Sequence, residues 1–222
     1  ELIFVGKEQG LHYVKQEDTI KILIDKANDG NIVVRLKGGD PFIFGRGAEE
    51  ALELSKNNIE YEIIPGITAA IGASGYSGIP LTHRNLVTQC LFITAHESPE
   101  KENSQIDWKL IAQMKNTSIA IYMGTTLLPA ICETLIKFGM NPESQIALIE
   151  NATLKNQRII TGNLTDISQK AIENNIKPPV ITLISPSVEL RDDIKWIEKK
   201  RLHNKRIVTT RAYNQSESLF SK

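Results

Sequence analysis

The stretch RLKGGDPFIFGRG, residues 35–47, closes a short apolar run with two glycines, an acid and a proline, then adds two phenylalanines and a Gly-Arg-Gly. Glycines after a strand let a backbone approach a ligand or another backbone closely. The spacing fits neither common phosphate cradle. Gly45-Arg46-Gly47 opens a dinucleotide-type Gly-x-Gly, but Glu50 stands where the third glycine belongs, and the Gly-Lys-Ser/Thr of a P-loop is missing. Asp40 in this turn suits a cation or a pair of hydroxyls, and it equally suits a tight turn closed by an Asx bond or an N-cap. Phe42, Ile43 and Phe44 directly after the turn point to a lined pocket.

Working outward, strand and helix patterns alternate. Ile3–Val5, Ile32–Leu36 and Tyr61–Ile64 read as strands. Ile20, Leu23, Ile24 and Ala27 recur at helical spacing up to Asn28-Asp29-Gly30, and Ala48, Ala51 and Leu52 mark a second helix stopping near Asn57-Asn58. Pro65-Gly66 breaks the chain after the third strand, and residues 67–78 are unusually small. Residues 97–107 read as a polar loop. Beyond them come a helix over 108–114, a strand over 118–122, a helix over 128–138, strands over 146–149 and 158–161, a helix over 166–174 and a strand over 180–184. Such βα alternation predicts an α/β fold with helices covering a sheet, and breaks at neighbouring strand ends would face one ligand crevice. Tyr122-Met123-Gly124 supplies a third such break.

Composition narrows the classes. The 222 residues carry 26 basic and 26 acidic side chains, which gives no global field for nucleic acid. The basic segment Lys199-Lys200-Arg201 reads as solvated. No apolar run reaches membrane-spanning length and no signal-peptide pattern opens the chain, so the expectation is a cytoplasmic protein with no membrane partner. Cys90 and Cys132 lie in apolar segments and read as two buried thiols. His96 and Glu97 give no ligand spacing, and no metal is expected.

The ordered motifs closely resemble those of the tetrapyrrole methylase family, in its uroporphyrinogen-III C-methyltransferase branch. They run from Val5-Gly6-Lys7 through residues 33–50, Pro65–Ala70, Gly78–Arg84 and Tyr122–Gly124 to Ile149–Thr153 with Gln157-Arg158. The resemblance implies two α/β/α domains with S-adenosyl-L-methionine in the cleft between them. Its boundaries are an N-terminal subdomain over 1–87, a C-terminal subdomain over 88–197, and 198–222 as a linker plus the start of a uroporphyrinogen-III synthase-like domain. It implies cofactor contacts from Gly38, Gly39, Asp40, Ile43, Thr68, Ala69, Met123 and Ala152.

The implied reaction is methylation of uroporphyrinogen III at two pyrrole carbons to precorrin-2, in early sirohaem and cobalamin synthesis, by a homodimer. Lys7 would move the proton, and Arg46 would grip a substrate carboxylate, with Arg35, Lys37 and Arg84 as further cationic candidates. His83 reads either as a proton relay or as a hydrogen-bonded structural histidine. The chain begins without Met inside a strand-like run, so an upstream segment carrying a catalytic aspartate is expected to be missing. Three positions depart from the family pattern: Thr94-Ala95-His96, Ala152 and Ser185-Pro186. A methylase of a later precorrin, or an inactive cofactor-binding module, are the rival readings.

Overall fold

A computed structural model describes residues 1–6, 14–96 and 104–205. Lys7 and almost all of the synthase-like stretch therefore lie outside the described residues. The chain divides into two compact units, residues 1–72 and 73–222.

In the first unit, α1 (Gln16–Asn28) and α2 (Gly47–Lys56) form where the apolar spacing places them. Acidic residues occupy the first turn of each helix and a lysine the last, the arrangement that complements the helix dipole. The expected strands over 3–5, 32–36 and 61–64 do not form: these runs have no ladder partner among the described residues. Apolar content alone cannot make a strand, because each strand needs a neighbour for its N–H and C=O groups. Their side chains accordingly face solvent, with Ile32 98% and Leu36 84% exposed. The helix α3 (Ala69–Ser77) takes up the small-residue segment.

The second unit holds a five-stranded sheet in the order β1-β2-β5-β3-β4, from β1 (Gln89–Thr94), β2 (Thr117–Tyr122), β3 (Gln145–Glu150), β4 (Arg158–Asn163) and β5 (Val180–Ile184). β1 and β2 are parallel, and β5 runs antiparallel between β2 and β3. β1 was not expected, since a domain boundary was anticipated there. β2, β3, β4 and β5 fall within a residue or two of expectation.

Against one face of the sheet pack α4 (Trp108–Ala112), α5 (Leu128–Lys137) and α6 (Ile167–Glu173). Trp108, Ile131, Leu135 and Ile167 meet Ile119, Ile121, Ile146 and Leu148 there, all buried. Each such side chain contributes roughly 1.5–3 kcal/mol by leaving water. Cys132 belongs to this core, whereas Cys90 is exposed near the start of the edge strand β1, which corrects the expectation of two buried thiols.

The Ser185-Pro186 departure has a local explanation. The Ser185 hydroxyl caps the 3-10 turn over Pro186–Leu190 by accepting from the Ser187 N–H, and it lies 2.7 Å from the Ser118 hydroxyl on β2. The Ser187 hydroxyl donates to the Pro80 carbonyl, so the buried serines fasten the 78–82 loop to the sheet. After α7 (Arg191–Ile194) the chain turns back onto α3. The Trp196 indole N–H donates to the Gly75 carbonyl at 2.8 Å, and its ring meets Tyr76 edge-on at 5.4 Å.

Candidate functional site

In the first unit the double-glycine corner and the Pro65–Ala70 loop touch directly. One oxygen of Asp40 accepts the N–H groups of Phe42 (2.8 Å) and Ile43 (3.2 Å), and the other accepts that of Gly66 (3.0 Å). The Gly66 donor and then the Phe42 donor hold the carboxyl below its ordinary range. Asp40 thus closes the Asx turn and crosslinks the two loops, which leaves little acceptor capacity for a ligand.

The glycines divide their work. A methyl group on Gly66 would lie 2.7 Å from the Gly39 carbonyl oxygen. One on Gly39 would lie 3.3 Å from the Ile67 carbonyl oxygen, and its φ of +112° also favours glycine. These two serve backbone-to-backbone packing. Gly38 is exposed, and a methyl built there would meet nothing within 4 Å, so its bare backbone faces open space. Ile43 and Ala69 are exposed, and Thr68 is buried just before α3.

The cationic candidates are less available than the sequence suggests. Glu50, 5% exposed, receives Lys37 Nζ on both oxygens at 2.9 Å, Arg35 Nε at 3.3 Å and Gln16 Nε2 at 2.9 Å. Burial alone would raise this carboxyl, but the Lys37 bond, followed by those of Gln16 and Arg35, holds it low. Arg35 and Lys37 therefore brace α1, α2 and the corner. No local sequence signal announces this hub, since Glu50 stands 13 to 34 residues from its partners. Arg46, at the N-terminal cap of α2, makes two bonds to Glu49 at 2.8 and 2.6 Å, half-exposed. His83 is exposed, and its backbone rather than its ring bridges to Val87.

In the second unit the register brings Met123 and Ala152 to one end of the sheet. Tyr122 and Ile149 both pair with Ile181, so β2 and β3 run in the same direction and end together. Met123 follows β2 with φ +57° and is 47% exposed. Ala152 follows β3, half-buried. Gln157, buried and missed as a site element by the sequence reading, fixes this second loop: its carbonyl accepts the Thr153 N–H (2.8 Å), and its amide donates to the Tyr76 carbonyl (3.1 Å). Arg158 pairs with buried Glu150 and donates to the Asn174 and Asn175 carbonyls, which makes it a structural clasp.

Among the described residues no three His, Cys, Asp or Glu side chains gather to hold a metal, and no helix is long and apolar enough to cross a membrane.

Residues 3–168 match the family model described as Tetrapyrrole (Corrin/Porphyrin) Methylases. The uroporphyrinogen-III C-methyltransferase of Methanocaldococcus jannaschii is 46% identical over 196 residues, which cover 86% of this chain and 78% of that protein. A siroheme synthase of Pseudoalteromonas atlantica is 45% identical over 196 residues, 88% of this chain and 42% of that protein. The chain thus spans about two fifths of the length of the curated siroheme synthases it matches. Among solved structures, the uroporphyrin-III C-methyl transferase of Thermus thermophilus complexed with S-adenyl homocysteine superposes with a TM-score of 0.68 at 28% identity, covering 85% of this chain and 78% of that one. A cobalt precorrin-4 methyltransferase shares the fold, with a TM-score of 0.71 at 22% identity over 81% of this chain and 73% of that one.

Proposed function

Because this chain belongs to the tetrapyrrole (corrin/porphyrin) methylase family, we propose that it is part of an S-adenosyl-L-methionine-dependent C-methyltransferase. It methylates uroporphyrinogen III at two pyrrole carbons to give precorrin-2. The observation that carries this reading is the 46% identity over 196 residues to a uroporphyrinogen-III C-methyltransferase.

The residues fit the cofactor. Gly38 offers bare backbone on an open side, Ile43 and Ala69 offer accessible apolar atoms, and Gly39, Asp40 and Thr68 hold that surface in shape. Met123 and Ala152 leave the sheet where its parallel strands end, the end at which open α/β sheets present ligands. The cofactor supplies an electrophilic methyl group on sulfonium. The chain's part is to align the pyrrole carbon with that methyl and to keep water away. Arg46 exchanges Glu49 for a substrate carboxylate, and Lys7 moves the proton that the methylated macrocycle must lose. The same reading includes a cytoplasmic homodimer.

The test is incubation of the full-length protein with uroporphyrinogen III and methyl-labelled cofactor. A doubly labelled dipyrrocorphin is expected. A labelled corrin precursor formed only from a later precorrin would replace this reading, and cofactor binding without turnover would mark an inactive module.

A further inference from the structure

The second unit contains a cavity of about 600 Å³ between the 153–157 loop and the turn over 197–205. Tyr76, Leu154, Ile197 and Leu202 give it an apolar lining. Lys155 and Asn156 stand on the loop side, and His203, Asn204 and Lys205 on the turn side. No acid lines it.

Most other cations near this turn are engaged, and Arg201, within the turn, does not line the cavity. Lys195 pairs with Asp192 and Arg191 with Glu198, Lys199 donates to the Asp193 carbonyl, and Lys200 lies 4.9 Å from the Trp196 ring. Lys155 and Lys205 take part in no salt bridge among the described residues. Several of the backbone donors here are also engaged. The N–H groups of Thr153, Leu154 and Gln157 bond within the loop, and those of His203 and Lys205 within the turn. The charged contacts available to a ligand come from side chains.

That inventory selects a chemistry. Compact phosphates are commonly gripped by arginine forks, and no arginine lines this cavity among the described residues. Separate ammonium and carboxamide groups on two walls suit an apolar body with carboxylates spread around its edge. We propose that the cavity is a binding site for a carboxylated tetrapyrrole, in addition to the methyl-transfer residues named above. The polycarboxylate chemistry comes from the lining, and the choice of a tetrapyrrole rests on the proposed function.

The probe is uroporphyrin III, an oxidised octacarboxylate, titrated by fluorescence against the full-length protein at low ionic strength. Two equivalents are expected to bind. Lys155→Glu/Lys205→Glu removes one of them or weakens it at least tenfold, leaving cofactor affinity by calorimetry unchanged, and Arg46→Ala removes the other. An aetioporphyrin lacking carboxylates and ATP should both fail to compete for the lysine-dependent equivalent. Should the Glu pair lower Tm, Lys155→Gln/Lys205→Gln repeats the titration with a milder change, and weakening is still expected. Unchanged titration in both lysine variants, no uroporphyrin binding at all, or displacement by ATP overturns the proposal. Loss of only the Arg46-dependent equivalent, with no methyl transfer, would instead count against the proposed function.

Discussion

Replacing Gly66 with alanine tests whether the corner and the loop are fastened as described. The new methyl would sit 2.7 Å from the Gly39 carbonyl oxygen and 2.9 Å from its carbon, both backbone atoms that cannot swing aside. Reaching ordinary contact at 3.4 Å requires a retreat of roughly 0.7 Å. That movement stretches the 3.0 Å bond from the Gly66 N–H to Asp40 beyond hydrogen-bonding range. Overpacking of this kind costs about 1–3 kcal/mol. At about 3 °C per kcal/mol for a chain of this size, Tm falls by about 3–9 °C. Gly38→Ala is the contrasting variant: its methyl meets nothing, so Tm holds or rises slightly, while calorimetric affinity for S-adenosyl-L-methionine drops at least tenfold. Thermal unfolding of both proteins, with cofactor titration, decides the matter. A Gly66→Ala protein melting with the parent, or a Gly38→Ala protein that melts early yet binds cofactor normally, would refute the reasoning.

Three further outcomes are expected. Glu50→Ala strands Lys37 and Arg35 without their carboxylate and costs about 3 kcal/mol in urea unfolding. Because folding holds the Glu50 carboxyl below its ordinary value of 4.5, its stabilisation is fully present above that pH and fades as pH falls through the folded value; Glu50→Gln flattens the Tm profile in that acid window. Glu49→Ala releases Arg46 from an exposed pair worth under about 1 kcal/mol, so Tm stays put while KM for uroporphyrinogen III falls, and Arg46→Ala raises it. Thiol titration of the native protein at pH 8 modifies Cys90 alone, since burial pushes the Cys132 thiol up to about 11; prompt modification of Cys132 would mean the sheet's helical layer is loosely packed.

The second unit was largely legible because its strands are short apolar runs bounded by turns and its helices keep one apolar stripe, as in α5 with Leu128, Ile131, Cys132 and Leu135. β1 escaped because its run, Gln89–Thr94, begins where a domain boundary is expected. In the first unit the reverse occurred: Ile32, Val34 and Leu36 have strand composition, yet pairing depends on a neighbour that composition cannot supply. The corner's glycines and aspartate announced a special turn. Their division into packing and open roles, like the gathering of Gln16, Arg35 and Lys37 on Glu50, depends on distances that only the folded chain defines.

The return of Trp196 onto α3 bears on how the second unit can be trimmed. The family match stops at residue 168 and β5 at 184, yet cutting at either point would strip the Gly75 carbonyl of its indole donor and uncover the Tyr76 ring. The backbone of Lys195 also fills the space beside Gly78. Any excised fragment meant to stand alone must therefore carry the chain past Trp196.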